Sequence, residues 1–193
     1  VLHLLGNQVL LGGENHSRLT RITPPGDGEF YHFALGKLGS SHAHIDPIKQ
    51  GRAMCEIYGA YGWNTGVRLM KVLTDHFLVR GINRFVPHAF SPKAFPDPDC
   101  PPHFYAHGHN PLYRHFGKLM RYVNRMCHLF SGGLHLAPVA LLYHGEAEWT
   151  GEHMFLQKPA RQLLEHQIDF DILPADVFAD PERYDAHLDG ELL

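Results

Sequence analysis

Gly51-Arg52-Ala53-Met54-Cys55-Glu56-Ile57-Tyr58-Gly59-Ala60-Tyr61-Gly62-Trp63 is the stretch on which the reading of the fold turns. Its first half is short, mostly apolar and bounded by Gly51 and Gly59. A brief apolar run between turn formers predicts a buried strand. Asn64 follows as a candidate N-cap, and Val67, Met70, Leu73 and Phe77 then recur every three or four residues. That spacing predicts an amphipathic helix ending near Gly81. Residues 82–90 are a second strand candidate. Strand, helix, strand in this order predicts a parallel pair, because parallel neighbours need a long crossover, usually helical.

The alternation continues in both directions. Upstream, residues 2–11 are apolar and end at Gly12-Gly13, a further strand candidate. Asp27 can cap a following helix through its carboxylate; Phe30, Phe33, Ala34, Lys37, Leu38 and Ser41 fall at helical spacing before Pro47. Downstream, residues 91–110 are irregular, with prolines at 92, 96, 98, 101 and 102. Long loops are functional or disordered, and Phe95, Phe104 and Tyr105 favour the first reading. Pro111 opens a helix with the stripe Leu112, Phe116, Leu119, Val123, Met126 and Phe130, ended by Ser131-Gly132-Gly133. Residues 138–144 read as a strand, 152–166 as a helix and 168–173 as a strand; Glu146, Glu148 and Trp149 read as loop or interface residues. This order predicts an α/β protein built on parallel strands, with its domain boundary at Gly132-Gly133.

Composition limits the function. The 193 residues carry 17 Lys plus Arg against 20 Asp plus Glu, a net charge of −3. With no basic block, nucleic acid is not an expected partner. No apolar run approaches the roughly 20 residues of a membrane span. A hydrophobic content of 44% excludes wholesale disorder. Cys55, Cys100 and Cys127 are odd in number and widely spaced, neither a disulfide framework nor a cysteine zinc site. They favour a reducing compartment, the cytoplasm by preference. The chain opens Val1-Leu2-His3 without an initiator Met or a signal-peptide pattern, and reads as a piece of something longer. Histidine is abundant, at 17 residues.

In parallel α/β folds the reactive groups stand at the carboxyl ends of strands. Glu56 is a carboxylate in a mostly apolar strand, costly to bury unpaired. It is either half of an ion pair, with Arg52 for instance, or a catalytic group in a cleft. Tyr58, Tyr61 and Trp63 just after it are flat amphipathic surfaces on which sugar rings stack, or else core. His88 ends the second strand, with Asn83 earlier in it; a hydrogen-bonded structural histidine is the alternative. His103, His107 and His109, near Asp97 and Asp99, have zinc-ligand chemistry, but H-E-x-x-H and C-x-x-C patterns are absent. His42 and His44, two apart on a helix, face different ways. Gly59, Gly62 and Gly66 match no dinucleotide or phosphate-loop spacing, and there is no Gly-x-Ser-x-Gly elbow.

These runs resemble a known group of enzymes. Residues 53–63 look like the seventh-strand segment of clan-A-type glycoside hydrolases, and Gly81-Ile82-Asn83-Arg84-Phe85-Val86-Pro87-His88-Ala89-Phe90-Ser91 like the eighth. Asp99-Cys100-Pro101-Pro102-His103-Phe104-Tyr105 and His109-Asn110-Pro111 resemble uncharacterised bacterial members, and similar runs occur around α-L-rhamnosidase-like enzymes. Residues 139–144 and 169–176 are similar to the start of the glutamine-amidotransferase-like, trimerisation-type domain that follows the barrel in family 42 β-galactosidases. The resemblance implies the C-terminal part of a (β/α)8 TIM barrel over 1–131, then the beginning of a flavodoxin- or amidotransferase-like parallel α/β domain over 134–193. It implies an O-glycosidase in which Glu56 is the nucleophile or base, and the acid/base glutamate lies on a fourth strand upstream of this chain. Tyr58, Tyr61, Trp63, Asn83, His88, His103 and Tyr105 become the substrate-binding set. The partner is then a carbohydrate, with no cofactor or metal, and the whole protein is a homo-oligomer. A non-catalytic carbohydrate-binding barrel is the alternative, and a zinc hydrolase using His103, His107 and His109 a more distant one.

Overall fold

The computed structural model describes residues 4–5 and 29–187. Its strands pair in parallel throughout. Leu4–Leu5 (β1), Met54–Ile57 (β2) and Arg84–Pro87 (β3) form one sheet in the order β1-β2-β3. Val139–Tyr143 (β4) and Phe170–Pro174 (β5) form a second parallel pair. The structure is therefore of the α/β class, with short parallel strand pairs. The rest of the first strand candidate and the Asp27 cap lie outside the described residues.

Helices connect the strands in the expected order. Leu35–Ile45 (α1) follows a single π turn at Phe30–Ala34. Val67–Leu78 (α2) joins β2 to β3, and Tyr113–Leu129 (α3) follows the long loop. Gly66, not Asn64, is the N-cap of α2; its extended backbone (φ −88°, ψ 167°) turns the chain into the helix without a side-chain cap. Gly145–Thr150 (α4) is a short helix where the sequence reads as loop. Gln157–Glu165 (α5) and Asp176–Ala179 (α6) complete the set. Among the described residues no helix is long and apolar enough to cross a membrane.

Burial alternates along β2: Cys55 and Ile57 are fully buried, Met54 and Glu56 half-buried. The buried side packs on Met70, Leu73 and Phe77 of α2 and on Phe116, Leu119 and Val123 of α3, in one core with Ile82 and Phe104. A second, smaller core joins Ala34 to Leu156, Ala160, Phe170 and Ile172. Helix α1 belongs to both regions. Lys37, only 1% exposed, reaches Asp169 at 2.7 Å. The Ser41 hydroxyl accepts the backbone N–H of Ile172 at 2.8 Å.

Arg80, 8% exposed, fastens the start of this helical segment to α2: it donates to the carbonyls of His32 (2.9 Å) and His76 (2.8 Å). Burial lowers its pKa to about 10. The His32 and His76 rings lie 4.8 Å apart beneath it. Burial, then the Arg80 charge, lowers His76 to about 2 and His32 to about 4. Both are neutral in the folded protein at pH values where an unfolded histidine takes a proton. Their contribution to stability is complete above pH 6.5 and is lost as pH falls towards the folded values. For His76 the loss approaches about 1.4 kcal/mol per pH unit below that point. Urea unfolding at pH 7, 6 and 5 should show stability falling with pH, and His76→Leu should flatten the slope by close to one proton.

Candidate active site

The carboxyl ends of β2 and β3 stand side by side, with Glu56 opposite Val86 and Ile57 opposite Pro87. Glu56 is the penultimate residue of its strand and shares a face with Met54. On the neighbouring strand that face carries Arg84 and Val86, both exposed, Val86 to 50%. Helices α2 and α3 cover the opposite face, so Glu56 is on the side away from them.

After Ile57 the chain turns sharply. Tyr58 (φ 81°) and Ala60 (φ 64°) occupy the left-handed region, which non-glycine residues enter at a cost and chiefly where surroundings enforce it. Here the enforcement is a ladder of backbone bonds. Ala60 N–H donates to Cys100 O (3.3 Å) and Gly62 N–H to Pro101 O (2.9 Å). His88 N–H donates to Ile57 O (2.8 Å), and Ala89 donates to Pro102 O (3.3 Å) and accepts from Phe104 N–H (3.0 Å) of the same long loop. The 91–110 segment is thus an ordered cap tied across both strand ends. Gly59 is required in this turn: a Cβ there would stand 2.9 Å from His88 Cγ.

The aromatic side chains divide between core and rim. Tyr58 is fully buried; its hydroxyl pairs with Thr74 Oγ1 (2.5 Å) and its ring meets Phe104 edge-on. Burial raises its pKa well above the ordinary phenol value. Tyr61, 6% exposed, also belongs to the core. Both rings are packed in the core rather than at the rim. Trp63 is 40% exposed and sits edge-on to His103 (5.4 Å) and Phe95 (5.5 Å). Tyr105 is exposed and meets Tyr113 edge-on.

His103 is buried behind Trp63. Its Nε2–H donates to Asp99 O (2.8 Å) and lies 3.9 Å from Asp97 Oδ2. The Ser91 hydroxyl, then the Asp99 amide, holds the Asp97 carboxyl below the usual carboxylate range. His88 contributes a buried Nδ1 with no hydrogen-bond partner among the described residues. Cys100 lies within electrostatic reach of Glu56: burial first, then Asp99, Glu56 and Asp97, raises its thiol pKa.

Asn83 lies at the other end of the sheet. It is 5% exposed, accepts from Ala53 N–H (3.2 Å) and donates to Gly51 O (2.9 Å) and Phe130 O (3.2 Å). It fastens the entry of β2 to the end of α3, away from the strand ends that carry Glu56. The three loop histidines also fail to converge: His107 donates to Lys93 O (2.8 Å) and His109 stacks on Phe95 (4.3 Å). Among the described residues the one group of three potential metal ligands is His44, His135 and Asp171, far from this loop. The sequence carries no spacing signal for it.

Comparison with protein-family models, with curated proteins and with solved structures finds no match. Asn83→Ala removes three hydrogen bonds and leaves buried groups unpaired, so it should destabilise the fold by about 2–4 kcal/mol. Chemical denaturation measures this; binding of a ligand at the Trp63 rim should be unchanged in the folded variant.

Proposed function

We propose that this chain supplies the closing part of a (β/α)8 barrel of a glycoside hydrolase, with Glu56 as one of its two catalytic carboxylates. In this reading a parallel amidotransferase-like domain begins near residue 134. The observation that carries the reading is the position of Glu56: near the carboxyl end of the middle strand of a parallel sheet, on the face away from α2 and α3. A completed barrel fills such a face with side chains and opens its catalytic mouth at the carboxyl ends of the strands. The 91–110 cap, tied across those ends, supports the same reading.

Trp63 forms the stacking wall for a sugar ring, and Tyr105 adds a hydroxyl at the rim. Half-buried His88, beside Gly59, hydrogen-bonds a sugar hydroxyl. His103 stands behind Trp63 and holds its edge. Glu56 either attacks the anomeric carbon or draws a proton from an attacking water. The second carboxylate, on another strand of the barrel, protonates the departing oxygen. A separation of about 5–5.5 Å between the two selects retention, and about 6.5–9.5 Å selects inversion.

Glu56→Gln in the whole protein should lower turnover of aryl glycosides by about 10³-fold or more, within the range that positioned acid–base and nucleophilic groups contribute. The fold should be retained, since glutamine keeps the side-chain volume. Activity within a few-fold of the parent would remove Glu56 from the chemistry. Sugar binding without turnover by the unaltered protein would favour the non-catalytic carbohydrate-binding barrel.

A further inference from the structure

A second constellation lies where α1, the segment before β4 and β5 meet. His44 Nδ1 is 2.9 Å from Asp171 Oδ1. His135 Nε2 is buried 3.3 Å from Asp171 Oδ2, and it makes no hydrogen bond with any described residue. The two imidazoles stack at 3.8 Å with 23° between their planes. Their ligand atoms and the carboxylate oxygen all lie within 4.8 Å of one another. A tetrahedral ion with bonds of about 2.0–2.1 Å sets its ligand atoms roughly 3.3 Å apart. Coordination swings the stacked rings apart, since two imidazoles on one tetrahedral ion hold their centroids about 5 Å apart.

We propose that His44, His135 and Asp171 form a binding site for a divalent transition-metal ion of the zinc type, open at its fourth position. The donor set suits the ion, since two imidazoles and one carboxylate are zinc-like ligands and three protein ligands leave room for water or substrate. The cleft suits it too. These three residues line a cavity of about 600 Å³ together with Gln50, Asn83 and Phe130.

A carboxylate stands within reach of a second-layer role. A ligating histidine keeps its orientation by directing its other ring nitrogen at a carboxylate or carbonyl. His135 Nδ1 faces Asp169 Oδ2 at 3.9 Å, and Asp169 is itself held by Lys37 at 2.7 Å. Burial, then the nearby His44, lowers the pKa of His135. The site does not depend on the glycosidase reading, and it involves none of the residues near Glu56.

The test uses the whole protein, zinc and cobalt(II), with a chromophoric chelator in competition. With 17 histidines in this chain, stoichiometry alone is not decisive, so variants carry the assignment. The expected result is one tight zinc ion per chain, weakened at least tenfold by His135→Gln and by Asp171→Asn and unchanged by His128→Gln on the exposed end of α3. Cobalt should give an intense visible band of a four- or five-coordinate centre. His135 lies outside the helices and strands, so its variant should fold; circular dichroism checks this. Should that variant unfold, the cobalt spectrum of the unaltered protein decides. Absence of a tight zinc phase, an affinity indifferent to His135→Gln, or only the weak spectrum of octahedral aqueous cobalt would overturn the proposal.

Discussion

Two parallel sheets meet on one helix whose buried face is nearly without large apolar side chains. Helix α1 buries Gly36, Lys37, Gly39, Ser40, Ser41 and Ala43. Small residues let neighbouring backbone come close: at Gly81 (φ 88°) a Cβ would stand 2.7 Å from Ser40 Cβ. Close approach brings polar groups together, and buried polar groups must be paired. Lys37 pairs with Asp169, Ser41 accepts from Ile172, and His44 bonds Asp171. One constraint thus joins the two sheets and also assembles the histidine–aspartate cluster at their junction.

The opposite end of the first sheet obeys a different rule. There the strands finish and the chain must turn without losing its backbone hydrogen bonds. The 91–110 loop supplies carbonyls to the turn at 59–62 and receives bonds in exchange near Ala89. Two non-glycine residues are held in left-handed conformation as a result. In the rim that emerges, Trp63 packs edge to face with Phe95 and His103.

Misread side chains show where local patterns stop. Residues in a strand alternate between faces, so Ile57 buried implies Tyr58 turned away. Yet both are fully buried in one core, because the positive φ at Tyr58 rotates the chain between them. Asn83 reads as a polar strand residue near a site, but it lies just before β3 and satisfies three backbone groups at the far end of the sheet. Helix α4, six residues long, is too short for a periodic signal. Asn64 has the right side chain for a cap, whereas the backbone enters α2 at Gly66.

The sequence by itself determined the order of strands and helices, the parallel α/β class and the position of Glu56 near a strand's carboxyl end. Those features follow from periodicity and turn residues, which act over a few neighbours. Tertiary structure alone decided which aromatics face solvent, which histidines meet and what each polar group pairs with. Those outcomes depend on residues brought together from distant parts of the chain. His44, His135 and Asp171 are the clearest case: each is unremarkable in its own segment, and their chemistry exists only where three elements converge.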